Sequence, residues 1–508
     1  MTASRRKTET AAMLRSGKEH LEMLRDGRVV YVGSEKLDDV TSHPAFRNAA
    51  NTVAALYDMK ADPANRQDLT YEEDGGNHSI YFLRARSRDD LQRRMIGHRR
   101  IADFTYGMFG RSPDHVASFI TGMTMKLDAL NSPCANPGNV LAYYKHARDN
   151  DLYVAYAVLP PQAARDPQFY VRQNLPMPTL RVVREEDDGV VISGMKMLAT
   201  GALFANEIWI GNVIPLAPGQ KKEAITCAIP CNARGLRLWS RKPMEPACTS
   251  EFDSPLAYRY DESDSMLLCD EVKVPWERVF VHDDAVLSRE IYIKTPSHCF
   301  GNHQSNVRYW SKMRLLVGLC AKIANVTGAD EVPAVKETLG RISAQEAMLA
   351  GAINGQINAF ETWPGGSEGY VCFNRRMMYA ALDWCTQNYS RFIDDLRELC
   401  GGGVFQMPAD ISVMADPELA RQFQAYWQTP QYDAVTRMKL FKLAWDMVGS
   451  EFAGRHQQYE KFYAGAPFII RGHSFRETDW AAFKKIVEDL IGGYDRPLTE
   501  KQDKTAAA

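Results

Sequence analysis

No GxGxxG follows a strand-like run anywhere in the 508 residues, so no dinucleotide-binding unit of the Rossmann type is written here. P-loop, HExxH, GxSxG and EF-hand patterns are missing as well. No apolar run approaches the roughly 18 residues of a membrane span. The opening MTASRRKTETAAMLRSGKEH is polar and lacks a signal-peptide stretch. These absences lead to the expectation of a soluble, cytoplasmic protein. Neither sign of charge dominates: 61 Lys and Arg face 63 Asp and Glu, which argues against a nucleic-acid partner. No cysteine precedes Cys134, and of ten cysteines only Cys227 and Cys231 (CAIPC) lie close together. They have no second pair or histidines at zinc-ligand spacing, so no metal site is expected. Cysteines such as Cys320 and Cys385 read as small buried hydrophobes. The GGG at Gly401–Gly403 follows a helical run and reads as a helix stop. Repeats and low-complexity segments are absent, and the tail KQDKTAAA is expected to fray.

Apolar residues make up 45% of the chain, enough for a full core. Three textures follow one another. Residues 1–150 look mainly helical, with an early hairpin in DGRVVYVGSEKLDDV and a helix over LQRRMIGHRRIADFTYGMFG. Residues 151–282 carry short β-rich runs (LYVAYAVLP, TLRVVREEDDGVVISGMKMLAT, NEIWIGNVIP, EAITCAIP, LRLWSRK, SMLLCDEVKV, RVFV) separated by turn residues. Such spacing suggests a β-barrel or sandwich. Residues 283–508 return to the helical period. YWSKMRLLVGLCAKIANVTGA, VKETLGRISAQEAMLAGAINGQINAF, NRRMMYAALDWCTQNYSRFIDDLREL and DAVTRMKLFKLAWDMVGSEFAGRHQQYEKFY fit an antiparallel bundle. The expected fold class is α+β: a helical domain, a β-barrel domain and a helical bundle, the arrangement of acyl-CoA dehydrogenase-like flavin enzymes.

Five ordered blocks carry a family resemblance over nearly the whole chain: DGRVVYVGSEKLDDVTSHPAFRNAANTVAALYD, YGMFGRSPDHV, DGVVISGMKMLATGA, DEVKVPWERVFV and WDMVGSEFAGRHQQYE. The sequence resembles the oxygenase component of 4-hydroxyphenylacetate 3-hydroxylases and the related chlorophenol monooxygenases. The resemblance implies an aromatic hydroxylase using FAD as diffusible FADH2, with electrons from a separate NAD(P)H:flavin reductase. O2 would be the co-substrate, one oxygen passing through a flavin C4a-hydroperoxide to a phenol. It further implies a homotetramer or homodimer. Halophenol or nitrophenol oxidation with loss of the substituent is the related alternative. Independently of family, such chemistry requires a closed, largely apolar site and a base or cationic donor at the phenol oxygen.

The resemblance places Arg111 (GRSPDHV) in the substrate and flavin pocket; the alternative is a helix cap or a pair with Asp114. At His115 and Tyr156 the chain departs from the pattern. The 4-hydroxyphenylacetate enzymes have tyrosine and histidine there, and here the two types are exchanged. Either the pair is kept with its sides swapped or the pocket takes another phenol; otherwise His115 is a helix-start histidine and Tyr156 an inward strand aromatic. His303 (FGNHQSNVRYW) reads as lying just before a long helix and is the rival catalytic base, since chlorophenol monooxygenases place a histidine in this region. Ala202, Leu203 and Tyr463 join the expected substrate pocket. For the flavin, Gln162, Ala163, Ala164 and Arg165 match a cofactor loop in which relatives often have aspartate at the position of Ala164. Thr200, Ser450 and Arg455 match further flavin positions, with an intersubunit ion pair as the alternative for Arg455, and Tyr156 is counted for the flavin as well as for the substrate.

Three rival functions remain. A dehydratase with an iron–sulfur cluster needs a cysteine pair in the first domain; none is there, and Cys299 alone cannot hold a cluster. An acyl-CoA dehydrogenase-like enzyme needs a glutamate base that no motif supplies. A non-catalytic scaffold is kept open by the His115/Tyr156 exchange. The missing Rossmann unit and the matched flavin blocks together predict that the isolated chain binds FADH2 more tightly than FAD and does not oxidise NADH alone. Anaerobic titration and an NADH absorbance assay check this, and rapid NADH oxidation by the pure chain contradicts it.

Overall fold

The computed structural model describes residues 14–363 and 369–493; the tail KQDKTAAA lies outside them. The fold is α+β. Helix α1 (Gly17–Leu24) starts at a capping box in which Ser16 and Glu19 exchange bonds. The expected hairpin follows as β1 (Val30–Val32) and β2 (Glu35–Leu37). It does not stand among the helices, because β1 pairs in parallel with a strand two hundred positions later (Val30 with Leu238). Next come helix α2 (Arg47–Ala61) and a second hairpin, β3 (Thr70–Glu73) with β4 (Gly76–Ser79). The reading above missed this hairpin. Its signal was present in Asp74-Gly75, both at positive φ, as a two-residue turn requires.

Helix α3 (Arg88–Phe104) stops short of the expected run, since Tyr106 and Gly107 take positive φ and break it. TYGMFG is therefore a loop. Helices α4 (Pro113–Thr124) and α5 (Pro137–Asp149) complete this part. The β-rich runs all form strands: β5 (Val154–Ala157), β6 (Arg181–Glu186), β7 (Gly189–Thr200), β8 (Glu207–Ile210), β9 (Ile225–Pro230), β10 (Leu236–Ser240), β11 (Asp264–Pro275) and β12 (Val279–His282). They build a six-stranded sheet, β2-β1-β10-β11-β7-β6, and a four-stranded one, β12-β9-β8-β5. Apolar residues from both enter the main core.

The C-terminal helices include α6 (Ser297–Thr327), α7 (Pro333–Asn358), α8 (Arg375–Cys400), α9 (Ala434–Val448), α10 (Glu451–Phe462), α11 (Pro467–Arg476) and α12 (Trp480–Gly492). Two differences from the sequence reading matter. Helix α6 begins at Ser297, so His303 lies inside it rather than before it. The single helix expected over DAVTRM…KFY is two, because Ser450 caps α10 by accepting the amide of Ala453 at 3.1 Å. The triple glycine does end α8, with Gly401 at positive φ.

Helix α6 is the centre of the molecule and packs on α3, α4, α7 and α8. It is polar yet buried: Asn302, His303, Gln304, Ser305, Asn306, Arg308 and Lys312 are all inside. Such a helix survives only if its polar groups find partners. Arg308 and Lys312 both bind the Glu460 carboxylate on α10, Arg308 through two nitrogens, and Lys312 also reaches His456 Nδ1 at 2.9 Å. All three charges are at most 2% exposed. Burial opposes ionisation of Glu460, but the two cations hold its carboxyl down to about 2.

Removing one partner of a buried ion group strands the others, at a cost of about 3–5 kcal/mol. Glu460→Ala is therefore expected to lower the denaturation midpoint sharply at neutral pH. The folded pKa lies below the unfolded value of about 4.3. The carboxylate's contribution is thus complete above the ordinary carboxylate range and is lost as pH falls toward about 2. The gap between wild type and Glu460→Ala should close over that window in urea titrations at stepped pH. Equal midpoints at neutral pH would contradict the triad's role.

Candidate functional site

The loop between α3 and α4 is tied down residue by residue. The Gly107 carbonyl accepts from Arg308 at 3.3 Å. A Cβ on Gly107 would stand 2.5 Å from the Arg308 carbonyl, so both space and positive φ demand glycine. The Gly110 carbonyl accepts from the Tyr463 hydroxyl at 2.6 Å. Arg111 is then clamped at both ends of its peptide unit. Its amide donates to Glu262, and its carbonyl accepts from Tyr153 at 2.5 Å. The guanidinium donates to the Tyr463 carbonyl at 2.8 Å, lies 4.2 Å over that tyrosine's ring, and donates to His115 Nε2.

His115 sits one turn into the helical segment from Arg111, on α4, fully buried. Guanidinium groups only donate, so Nε2 must accept, and the neutral ring carries its hydrogen on Nδ1. That Nδ1 is buried and has no hydrogen-bond partner. Burial first, then the positive charge of Arg111 and Arg308, keeps His115 neutral, far below its ordinary range. Around it runs a chain of rings. His115 stacks on Phe119 at 5.0 Å and Phe119 on Tyr156 at 5.3 Å, while Tyr463 stands edge-on to His115 at 5.8 Å. The Phe119 ring fits because α6 is bare beneath it: a Cβ on Gly301 would lie 1.8 Å from the ring. The Tyr156 hydroxyl is buried without a hydrogen bond of normal geometry, beside that of Tyr292.

The fold thus brings Arg111, His115, Tyr156 and Tyr463 together. Thr200 and Arg455 meet a step away through two acids that the sequence reading did not single out. Asp264 accepts from Thr200 at 2.7 Å and from Arg455 at 2.9 Å; Glu262 accepts from Arg455 at 3.2 Å and from the Arg111 amide. Arg455 is therefore in an ion pair within the chain. Burial raises the Glu262 carboxyl, whereas Asp264 stays low because Arg455 and Arg241 outweigh its burial. Ala202 and Leu203 follow directly in a buried turn and pack in the main core. Ser450 spends its hydroxyl on the α10 cap. Gln162–Arg165 form a short turn at the surface, with Ala164 half-buried, apart from the other candidates.

His303 is not brought into this group. Its ring lies flat on Phe373 at 3.5 Å, Nδ1 bonds Gln356 at 2.7 Å, and burial keeps it neutral. The histidine of α6 that does approach the rings is His298, edge-on to Phe119 at 6.1 Å and bonded through Nδ1 to Tyr379 at 2.6 Å. The sequence reading missed it, along with Phe119 and Tyr292. Only Phe119 had a signal, its place four residues after His115 on one helix.

Known proteins match the chain over most of its length. The family description "4-hydroxyphenylacetate 3-hydroxylase N terminal" fits residues 16–281, and its C-terminal counterpart fits residues 288–492. The chain belongs to the 4-hydroxyphenylacetate 3-hydroxylase family. It is 33% identical to the 4-hydroxyphenylacetate 3-monooxygenase oxygenase component of Thermus thermophilus, over 90% of this chain and 92% of that protein. It is 32% identical to a 4-nitrophenol 2-monooxygenase oxygenase component from Rhodococcus sp, over 94% and 92%. A 4-hydroxyphenylacetate 3-monooxygenase oxygenase component solved with FAD and 4-hydroxyphenylacetate superposes with a TM-score of 0.87 at 29% identity, covering 94% of this chain and 98% of that one. This member of the 4-hydroxyphenylacetate 3-hydroxylase family is a flavin-dependent aromatic monooxygenase that uses FAD and O2.

Proposed function

We propose that the chain is the oxygenase half of a two-component phenol hydroxylase, with Arg111, His115 and Tyr156 holding the phenol oxygen. One observation carries this reading: His115 Nδ1 and the Tyr156 hydroxyl are buried and unpartnered beside a buried arginine, within a wall of aromatic rings. Buried donors left open are costly unless a ligand satisfies them. The rings supply the dry surroundings that oxygen transfer requires. His115 acts here as a donor. The base role set out above does not suit it, because the arginine occupies Nε2 and opposes a second positive charge. His303 lies outside the recess.

The flavin residues fit their group. Arg455 Nη1, His456 Nε2 and the Tyr459 hydroxyl, all on α10, are buried without partners. The Arg455 guanidinium lies 4.0 Å over the Tyr459 ring. Thr200 already donates to Asp264, which leaves its oxygen to accept from a flavin N–H. We assign Arg455, Thr200 and the Gln162–Arg165 turn to FAD, with Ser450 shaping α10. Held there as FADH2, the group would supply the electrons that activate O2, one oxygen of O2 entering the ring and the other leaving as water. A separate NAD(P)H:flavin reductase delivers it by diffusion, in keeping with a sequence that has no Rossmann unit.

The division at residues 150 and 282, and a cytoplasmic location, complete the proposal. Among the described residues no helix is long and apolar enough to cross a membrane. Self-association into a dimer or tetramer is supported by α12, which leaves Trp480, Phe483, Ile486, Val487 and Leu490 exposed on a helix with no buried residue. Light scattering at micromolar concentration should give two or four times the chain mass; a clean monomer contradicts it.

The direct test supplies FADH2 from a separate flavin reductase, offers a panel of phenols and scores hydroxylated product by mass spectrometry. Arg111→Ala should cut product by roughly a hundredfold, the scale of losing one charged donor at a developing charge, while O2 is still consumed and appears as H2O2. Absence of hydroxylated product from every phenol overturns the proposal.

A further inference from the structure

Cys299 is not alone in the fold. Two short strands between α7 and α8, β13 (Glu361–Thr362) and β14 (Val371–Cys372), pair antiparallel with Glu361 opposite Cys372. They lie against the first turn of α6. Cys299 Sγ donates to the Phe373 carbonyl at 3.3 Å, and the thiols of Cys299 and Cys372 are in hydrogen-bond contact. The Phe300 and Phe373 rings pack at 5.3 Å, and His303 lies flat on Phe373. Both sulfurs are interior, with Cys299 at 2% exposed and Cys372 at 0%. We infer that Cys299 and Cys372 are a peroxide-sensitive redox pair, closing to a disulfide that disturbs the recess around His115.

The pair that lies close in sequence is a poor one. Cys227 and Cys231 stand four positions apart along β9 and just past its end, roughly 13 Å of extended chain. A disulfide needs α-carbons within about 7 Å. The Cys231 thiol is turned instead to the Ala202 carbonyl at 3.6 Å. Cys299 and Cys372 come from distant parts of the chain, yet their sulfurs already touch. Closing the bond asks for a short approach, to about 2 Å.

Burial first, then the Cys372 thiol at its side, holds the Cys299 thiol far above its ordinary range. It is protonated at neutral pH and slow toward dilute oxidant in bulk water. Two features offset this. Peroxide from uncoupled turnover, under the function proposed above, arises in the recess itself, and Gly301, two residues beyond Cys299, is the residue packed under the Phe119 ring. A second thiol also stands ready for the first product. One sulfur attacks the O–O bond of H2O2 and becomes a sulfenic acid, while its proton and the displaced hydroxide leave as water. The other thiol then attacks the sulfenic sulfur, the S–S bond forms, and its proton leaves with the sulfenic hydroxyl as a second water. The two thiols lose two electrons, the peroxide gains two, and nothing else is consumed.

As the sulfurs approach, one side must move. Strand β14 is held on both sides of Cys372: the Val371 amide donates to the Ala85 carbonyl at 3.0 Å, and the Asn374 amide to the Gln356 carbonyl at 2.8 Å. Helix α6 starts at Pro296, which offers no side-chain cap, so its first turn yields. That turn carries Gly301, where a Cβ would lie 1.8 Å from the Phe119 ring. A shift there passes to Phe119, and from Phe119 to His115 and Tyr156, on which it stacks. The enzyme that wastes O2 as H2O2 thus turns itself down until a thiol reductant reopens the bond. This consequence for turnover rests on the proposed hydroxylase; the disulfide does not.

The test treats the full-length chain with H2O2, alkylates the remaining thiols after denaturation and digests without reductant for mass spectrometry. A peptide joining Cys299 to Cys372 should appear in a yield independent of protein concentration and vanish with dithiothreitol, while Cys227 and Cys231 stay alkylated. The near-ultraviolet circular dichroism of the stacked rings should change as the bridge forms. Product formation should fall roughly a hundredfold, the scale of an ångström's misplacement of positioned groups, and return with dithiothreitol. Cys372→Ser, or Cys299→Ser, should keep its product yield through the same treatment; the mass measurement needs neither variant. Cys299 and Cys372 left unbridged by peroxide, or joined only to other cysteines, overturn the redox pair. A bridge that leaves the ring signal and the product yield unchanged overturns its link to the recess. The hydroxylase reading fails separately, if the untreated chain hydroxylates no phenol, and the bridge and ring signal then still decide the inference.

Discussion

Everything in the site hangs from the ion triad of Arg308, Lys312 and Glu460. Arg308 reaches three things at once: the Glu460 carboxylate, the Gly107 carbonyl at the start of the Arg111 loop, and the Tyr463 ring, 4.6 Å from its guanidinium. Two cations on a buried helix cannot exist without that carboxylate. Once it is in place, α10 is fixed against α6, Tyr463 is fixed behind Arg111, and the ring wall has its far side. The aromatic contacts then decide shape, while the charges decide position.

Glu262 and Asp264 do for Thr200 and Arg455, the residues proposed for the flavin, what the triad does for the recess around His115. Both acids lie at the start of β11 and face α10. One binds the Arg111 amide and Arg455; the other binds Thr200, Arg455 and Arg241. Residues assigned to cofactor and to substrate therefore share a single support. A flavin phosphate drawing on Arg455 would act on the same two carboxylates that hold the main chain of Arg111.

Much of the fold was legible because its burial follows simple periods. Each β-rich run is bounded by turn residues and became a strand, alternating in burial in β10 and buried on nearly every residue in β8 and β9, and α7 and α8 are amphipathic enough to be read over nearly their full lengths. The failures share one cause. FGNHQSNVRYW looks like a polar approach to a helix, since nothing local states that Arg308 and Lys312 will meet a glutamate some 150 positions on. The register of His298 and His303 was lost with it. The break before α10 was likewise hidden, although Ser450 followed by an apolar run is a cap signal. Among the candidates, Arg111, His115, Tyr156 and Tyr463 were singled out through resemblance in their motifs, and the fold gathers them. Glu262 and Asp264 sit in YDESDS, which reads as an exposed acidic turn until both sheet and bundle are present. The orientation of His115 needed the arginine's position, which sequence alone does not give.

The distance along the chain between the triad's partners also bears on how the molecule is made. Arg308 and Lys312 leave the ribosome 152 and 148 residues before Glu460. Until then the middle of the nascent chain carries two uncompensated positive charges on the helix that must become its interior. N-terminal helices and the strand layers can assemble as they emerge. The central helix cannot be buried at acceptable cost until α10 has been made. The recess is therefore completed only once α10 has emerged, and a chain cut short before α10 has its outer layers and no interior to its candidate site.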